Sequence, residues 1–192
     1  MSESSQNPVE QVLIRIASAA LQAGLPDFLL VGGNAVVLYG VPRFTRDVDF
    51  LIPAADDLRW RDFLASHGFA FIHGTPGFSQ FSGPDTECPR VDLMLVDPST
   101  WEKLEAESVT HSLADGVDLK LPVVHHLIAM KLRAAASATR ANPEQDWSDV
   151  TALTLHHGYS LEDPMFRDLL VRFGGPAAPE ILQERLDRQP TP

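Results

Sequence analysis

Basic residues are scarce in this chain: 15 Lys and Arg stand against 26 Asp and Glu, a formal charge of -11 over 192 residues. A surface of that sign repels polyanions, which argues against general duplex DNA binding and against polybasic docking on a membrane. Cysteine is nearly absent. The single Cys88 closes no intramolecular disulfide and builds no Cys-based zinc site. There is no charged-then-apolar leader, and no apolar run reaches the roughly 20 residues that span a bilayer. These absences lead us to expect a cytoplasmic protein. Internal repeats and long low-complexity segments are missing as well. What is present is 44% hydrophobic residues, enough for the core of one domain with a small helical annex.

Residues 1–7 are polar and Ser-rich and 189–192 are Pro-rich, so both ends are expected to be disordered or loose. Val9, Val12, Leu13, Ile16, Ala19 and Ala20 recur at helical spacing, stopped by Gly24 and Pro26. Residues 28–31 predict a short strand. Gly32-Gly33 then predicts a tight turn, with Asn34 as N-cap of a short helix over 35–39 that Gly40 ends. From 43 to 52 the pattern alternates, with Phe44, Val48 and Phe50 on one face and Arg43, Thr45, Asp47 and Asp49 on the other; Arg46 is the exception. A helix is expected over 56–67, a hairpin from 69–73 and 78–81, a strand over 91–96 and a helix over 98–107. A further hairpin joins 109–113 and 117–121 through Ala114-Asp115-Gly116. Helices follow over 124–137, 143–157 and 161–173, with a short one over 180–186. The layout predicts a mixed-sheet core over 8–122 and a helical region over 123–188.

Asp47 and Asp49, at i and i+2 of a strand, point their carboxylates to the same side, where like charges are unfavourable unless a divalent cation bridges them. Magnesium is the natural occupant, because hard cations take carboxylate and phosphate oxygens. Arg43 and Thr45 share that face, placing a phosphate-binding guanidinium and a hydroxyl beside it. A third acid, Asp92, is isolated in the apolar run 91–96, and buried lone carboxylates are rare without a partner. In the first C-terminal helix Lys131 falls inside the apolar stripe of Leu127, Ile128, Ala134 and Ala135 and needs a partner. Asp146 lies on the same stripe as Val150 and Leu153 of the next helix and supplies one; Asp149, about 60° round, is read as rim. The pair clamps two helices, a role compatible with receiving a triphosphate.

The run 31–35 through Gly40, followed by Arg43-Phe44-Thr45-Arg46-Asp47-Val48-Asp49-Phe50, resembles the nucleotidyltransferase fold shared with DNA polymerase beta. The Arg-x-Thr-x-Asp-hydrophobic-Asp form is similar to the AbiEii and MenT nucleotidyltransferases, toxins of bacterial toxin–antitoxin pairs. The likeness continues through the Lys131-Leu132-Arg133-Ala134 helix, Arg140 and the Asp146-Trp147-Ser148-Asp149 helix, and covers roughly 28–155. It implies an α/β (α+β) nucleotidyltransferase fold with a mixed, mainly antiparallel sheet flanked by helices and a small C-terminal helical bundle. It implies transfer of a nucleoside monophosphate from a nucleoside triphosphate to a hydroxyl of a tRNA, a protein or a small molecule. Asp47, Asp49 and Asp92 would hold two Mg2+ ions, with Mn2+ as a substitute. Gly32, Gly33, Asn34, Arg43, Thr45, Lys131 and Asp146 would bind the nucleotide, and Lys131 would join the three acids in catalysis. A cognate antitoxin is an implied partner. The alternative is a catalytically silent nucleotide-binding or partner-binding module of the same fold.

A tRNA acceptor needs a positive path, for which Arg43, Arg46, Lys120, Arg133 and Arg140 are the candidates. His125-His126 and His156-His157 are neighbours about 100° apart on helices and are assigned no metal. Trp60, Trp101 and Trp147 read as packing anchors. Ser79 and Ser82 lack a hydrolase arrangement.

Overall fold

The computed structural model describes residues 8–25, 27–113 and 116–189. The expectations for residues 1–7, Pro26, Ala114-Asp115 and 190–192 lie outside them. The elements are, in chain order, α1 (Pro8–Gln22), β1 (Leu29–Leu30), α2 (Gly32–Leu38), β2 (Asp47–Pro53), a 3-10 turn (Ala54–Asp56), α3 (Asp57–Ser66), β3 (Ala70–Thr75), β4 (Phe78–Ser82), β5 (Arg90–Val96), α4 (Pro98–Ala106), β6 (Val109–Ser112), β7 (Asp118–Leu121), α5 (Val124–Ala135), α6 (Pro143–His156), α7 (Pro164–Gly174) and α8 (Ala178–Asp187). None of the described helices is long and apolar enough to cross a membrane.

The chain divides into two compact units, one of Met1–Ala35 and Arg43–Val123, the other of Val36–Pro42 and Val124–Pro192. The first holds a seven-stranded sheet in the order β3-β4-β5-β2-β1-β7-β6. The pairs β2/β5 and β1/β7 are parallel and the other four antiparallel, the mixed and mainly antiparallel sheet expected. Its core forms where α1 and α4 pack on β2: Leu13, Ile16 and Ala17 of α1 are buried, as are Val48, Phe50 and Ile52. Trp60 of α3 completes this core as an anchor among Phe28, Phe50 and Phe63, with ring centroids 5.1 to 5.7 Å apart.

The second unit packs α5 against α6 and α7, and α8 against α6 and α7. Asn142 caps α6 by accepting from Gln145 N, and Asp163 caps α7 by accepting from Met165 N, each followed by Pro at the first helical position. Segment Val36–Pro42 belongs to this unit. His157 Nε2 lies 3.1 Å from the Tyr39 carbonyl oxygen, and the bare Cα of Gly40, at φ +83°, lets His156 approach.

Two local expectations are corrected. Asn34 is no N-cap, because α2 starts at Gly32 and Asn34 sits inside its first turn. Phe44 does not join Val48 and Phe50 in the core: β2 starts at Asp47, and Phe44 is 75% exposed while the other two are fully buried.

Candidate active site

Strand β2 sits at the centre of the first unit, beside β1 on one edge and β5 on the other. Its parallel register with β5 pairs Asp49 with Asp92 and Asp47 with Arg90, so alternation places all four side chains on one face. The antiparallel register of β4 with β5 adds Gln80 opposite Asp92. Gln80 Nε2 donates to both Asp92 carboxylate oxygens, at 3.0 and 3.3 Å. Burial pushes the Asp92 carboxyl up to about 6; the charges of Asp49 and Asp47 push the same way, against the Gln80 hydrogen bonds and Arg90. Three carboxylates thus share one strand face, and the Asp92 carboxyl is held above the usual carboxylate range, chiefly by burial.

The turn after β1 closes against this face. Gly32 has φ +64°, and a Cβ there would collide with the Asp49 carboxylate. A Cβ on Gly33 would come to 2.7 Å from Thr45 Oγ1 and 3.0 Å from the Arg43 guanidinium. The two glycines are therefore the condition for Asp49, Arg43 and Thr45 to pack on the start of α2. The entry of β2 is pinned from two sides: Asn34 Nδ2 donates to the Asp47 carbonyl oxygen at 2.8 Å, and Thr45 Oγ1 donates to the same oxygen at 3.2 Å. Asn34 positions Asp47 rather than capping a helix. In the first unit the structure thus gathers Gly32, Gly33, Asn34, Arg43, Thr45, Asp47, Asp49 and Asp92.

Lys131 and Asp146 belong to the second unit. Lys131, 6% exposed, places Nζ 3.5 Å from Asp146 Oδ1 and 2.8 Å from Asp149 Oδ2. Asp149 is therefore no rim residue; it is 3% exposed and the nearer partner. Arg140 supplies a second cation, with Nε 2.5 Å from Asp146 Oδ2 and a terminal nitrogen 3.0 Å from Oδ1. Two buried carboxylates against Lys131 alone would leave a net negative charge in a dry interior, and Arg140 balances it. The charge of Arg140 is thus engaged by Asp146. Lys120 likewise lies between Asp27 and Glu105, at 3.2 and 3.1 Å.

Sequence reasoning missed Gln80, Arg90 and the rank of Asp149. Alternation in 78–82 does turn Gln80 away from buried Ser79 and Phe81. Only the strand pairing, a long-range fact, brings it to Asp92.

A glycine turn after one strand and an acid-x-acid pair on its neighbour, inside a mixed sheet, define the nucleotidyltransferase class of fold. Solved structures share it. A nucleotidyltransferase-like antigenic protein from Paracoccidioides brasiliensis is 15% identical, with a TM-score of 0.59, covering 95% of this chain and 91% of its own. The antibiotic-resistance factor ANT(2'')-Ia is 13% identical with a TM-score of 0.66, over 94% of this chain and 97% of its own. The lincosamide adenylyltransferase LnuA is 15% identical with a TM-score of 0.51, over 76% and 96%. Residues 15–191 match the family described as nucleotidyl transferase AbiEii toxin, type IV TA system, and the chain belongs to that family. It is a nucleotidyltransferase, an enzyme with a nucleotide substrate. No protein of curated function matches it in sequence.

Proposed function

We propose that this enzyme transfers a nucleoside monophosphate from a nucleoside triphosphate to a hydroxyl acceptor, with two Mg2+ ions held by Asp47, Asp49 and Asp92. The observation that carries the reading is the set of three carboxylates on one face of β2 and β5, packed against a side-chain-free turn. The residues fit divalent ions: the donor set is all hard oxygen, and Asp92 is pushed up first by burial and then by the charges of Asp49 and Asp47, which a cation would offset. Bound there, the ions would stabilise charge building on the transferred phosphoryl group and its leaving oxygen; Mn2+ suits the same donors.

The chain's own residues divide the remaining work. The bare backbone of Gly32 and Gly33 lets phosphate oxygens approach, and the Arg43 guanidinium neutralises them. Asn34 and Thr45 hold the Asp47 backbone, so its carboxylate enters the site at a fixed angle. Asp92 takes the proton of the acceptor hydroxyl as that oxygen bonds to the α-phosphorus, and pyrophosphate leaves.

Family membership supports a nucleotide donor and a cognate antitoxin as partner. For the acceptor, a tRNA end, a protein hydroxyl and a small alcohol are the classes to test. ANT(2'')-Ia has been solved with an adenylylated tobramycin, and LnuA with lincomycin. The test is transfer of label from each α-labelled nucleoside triphosphate, with Mg2+, to cell RNA, cell protein, the enzyme itself and a panel of antibiotic alcohols. Label lost in an Asp47→Ala/Asp49→Ala control is the expected result. Equal labelling by wild type and control, or none with any acceptor, overturns the proposal.

A further inference from the structure

Gln80 stands opposite Asp92 in the β4/β5 ladder and opposite His73 in the β3/β4 ladder, so its backbone is fixed from both sides. Its neighbour Ser79 is fully buried and anchors the strand further: Ser79 Oγ donates to Asp57 Oδ1 and accepts from Arg61 Nη2, each at 2.9 Å. From this fixed position the half-buried Gln80 side chain turns a single nitrogen on the Asp92 carboxylate. Nε2 lies 3.0 Å from Oδ1 and 3.3 Å from Oδ2. A donor within reach of both oxygens sits across the mouth of the carboxylate, the place that a cation held by both oxygens at once would take. The amide thus occupies the inner lone pairs and leaves the outer lone pair of each oxygen to other partners. Divalent ions differ in which of these they use. Mg2+ demands a tight octahedral shell and is bound through one or two carboxylates, whereas the larger Ca2+ takes about six to eight oxygens in a flexible shell and accepts both from one carboxylate. A carboxylate whose mouth is already filled therefore suits the smaller ion.

We propose that Gln80 is a positioning residue that holds Asp92 to single-oxygen coordination and so biases the acid cluster toward Mg2+ and against Ca2+. This rests on the metal-holding role of Asp47, Asp49 and Asp92 proposed above, and its test needs no turnover. Mn2+ is added to the whole chain, and the electron paramagnetic resonance signal of free Mn2+ is followed as Mg2+ or Ca2+ displaces the bound ion. The proteins are wild type, Gln80→Met, which keeps the length of the side chain without its donor, and Gln80→Asn, which holds the amide one methylene short of Asp92. Both variants are expected to lower the affinity for Mg2+ relative to Ca2+ by about 10-fold or more, the scale on which groups that orient a metal ligand act. In an Asp92→Ala background Gln80→Met should leave that ratio unchanged, because Gln80 acts through this carboxylate. A ratio unchanged in both variants, or an equal loss for the two ions, reduces Gln80 to sheet packing and overturns the proposal. So does the same shift of the ratio once Asp92 has been removed. No binding of Mn2+ by wild type, or undiminished binding by Asp47→Ala/Asp49→Ala, strikes the metal-holding reading itself and this proposal with it.

Discussion

At the scale of single residues, the carboxyl of Asp92 governs how the metal-free protein responds to pH. Its folded value of about 6 lies above the ordinary 3.8, so between those values the folded state binds more protons than the unfolded one. The stability it contributes is therefore complete below about pH 4 and lost as pH rises through 6. With the solvent on its open side discounted, the loss is on the order of 1–2 kcal/mol. In EDTA, Asp92→Asn is expected to melt higher than wild type above pH 6 and equally at pH 4; a lower melting point at pH 7.5 would contradict a repulsive cluster. Mg2+ should raise the wild-type melting point at pH 7.5 and lose that effect below pH 5, where protons compete for the same oxygens. Gly32 offers a different residue-scale test. Gly32→Ala places a Cβ at positive φ and against the Asp49 carboxylate, so it should abolish transfer and lower stability by about 1–3 kcal/mol in urea titrations.

Among elements, α5 and α6 are joined by the Lys131 cluster. Replacing the lysine leaves two buried carboxylates facing Arg140 alone, so Lys131→Met should cost about 3–5 kcal/mol in urea unfolding. Adding Asp149→Asn should recover part of that loss, and independent additive losses would refute the coupling. The helix periodicity that turned Lys131 inward and aligned it with Asp146 was legible because 3.6-residue spacing is a local property. Asp149 was not, since an angular offset of about 60° on one helix says nothing about which carboxylate the facing lysine reaches. Strand alternation was likewise sound from Asp47 to Phe50, where Val48 and Phe50 are buried in the core and the two aspartates are half-buried on the opposite face. It failed at Phe44 because alternation fixes direction, and burial also needs another element on that side. Asn34 has the composition of a cap, yet a partner thirteen residues away, the Asp47 carbonyl, uses its amide instead. The glycines and the acid pair were readable because each is dictated locally; the contacts of Gln80 and Arg90 arise from strand pairing.

On the scale of the whole molecule, the division of the chain is interleaved. Residues Val36–Pro42 follow the glycine turn in sequence but belong with the C-terminal helices, where Val36 and Val41 are buried. A chain cut after Val123 would leave this segment without its unit, so it is expected to aggregate or to bind hydrophobic dyes with weak near-UV circular dichroism. A cooperative unfolding transition in that fragment would refute the assignment. The same interleaving sets an order of events on the ribosome. The glycine turn and both aspartates of β2 emerge early, but the second half of α2 waits for α5 to α7. At about 5–20 residues per second that wait is on the order of ten seconds. A nascent chain therefore carries its acid pair long before α2 is fully packed, and the second half of that helix gains its packing partners only once α5 to α7 have emerged.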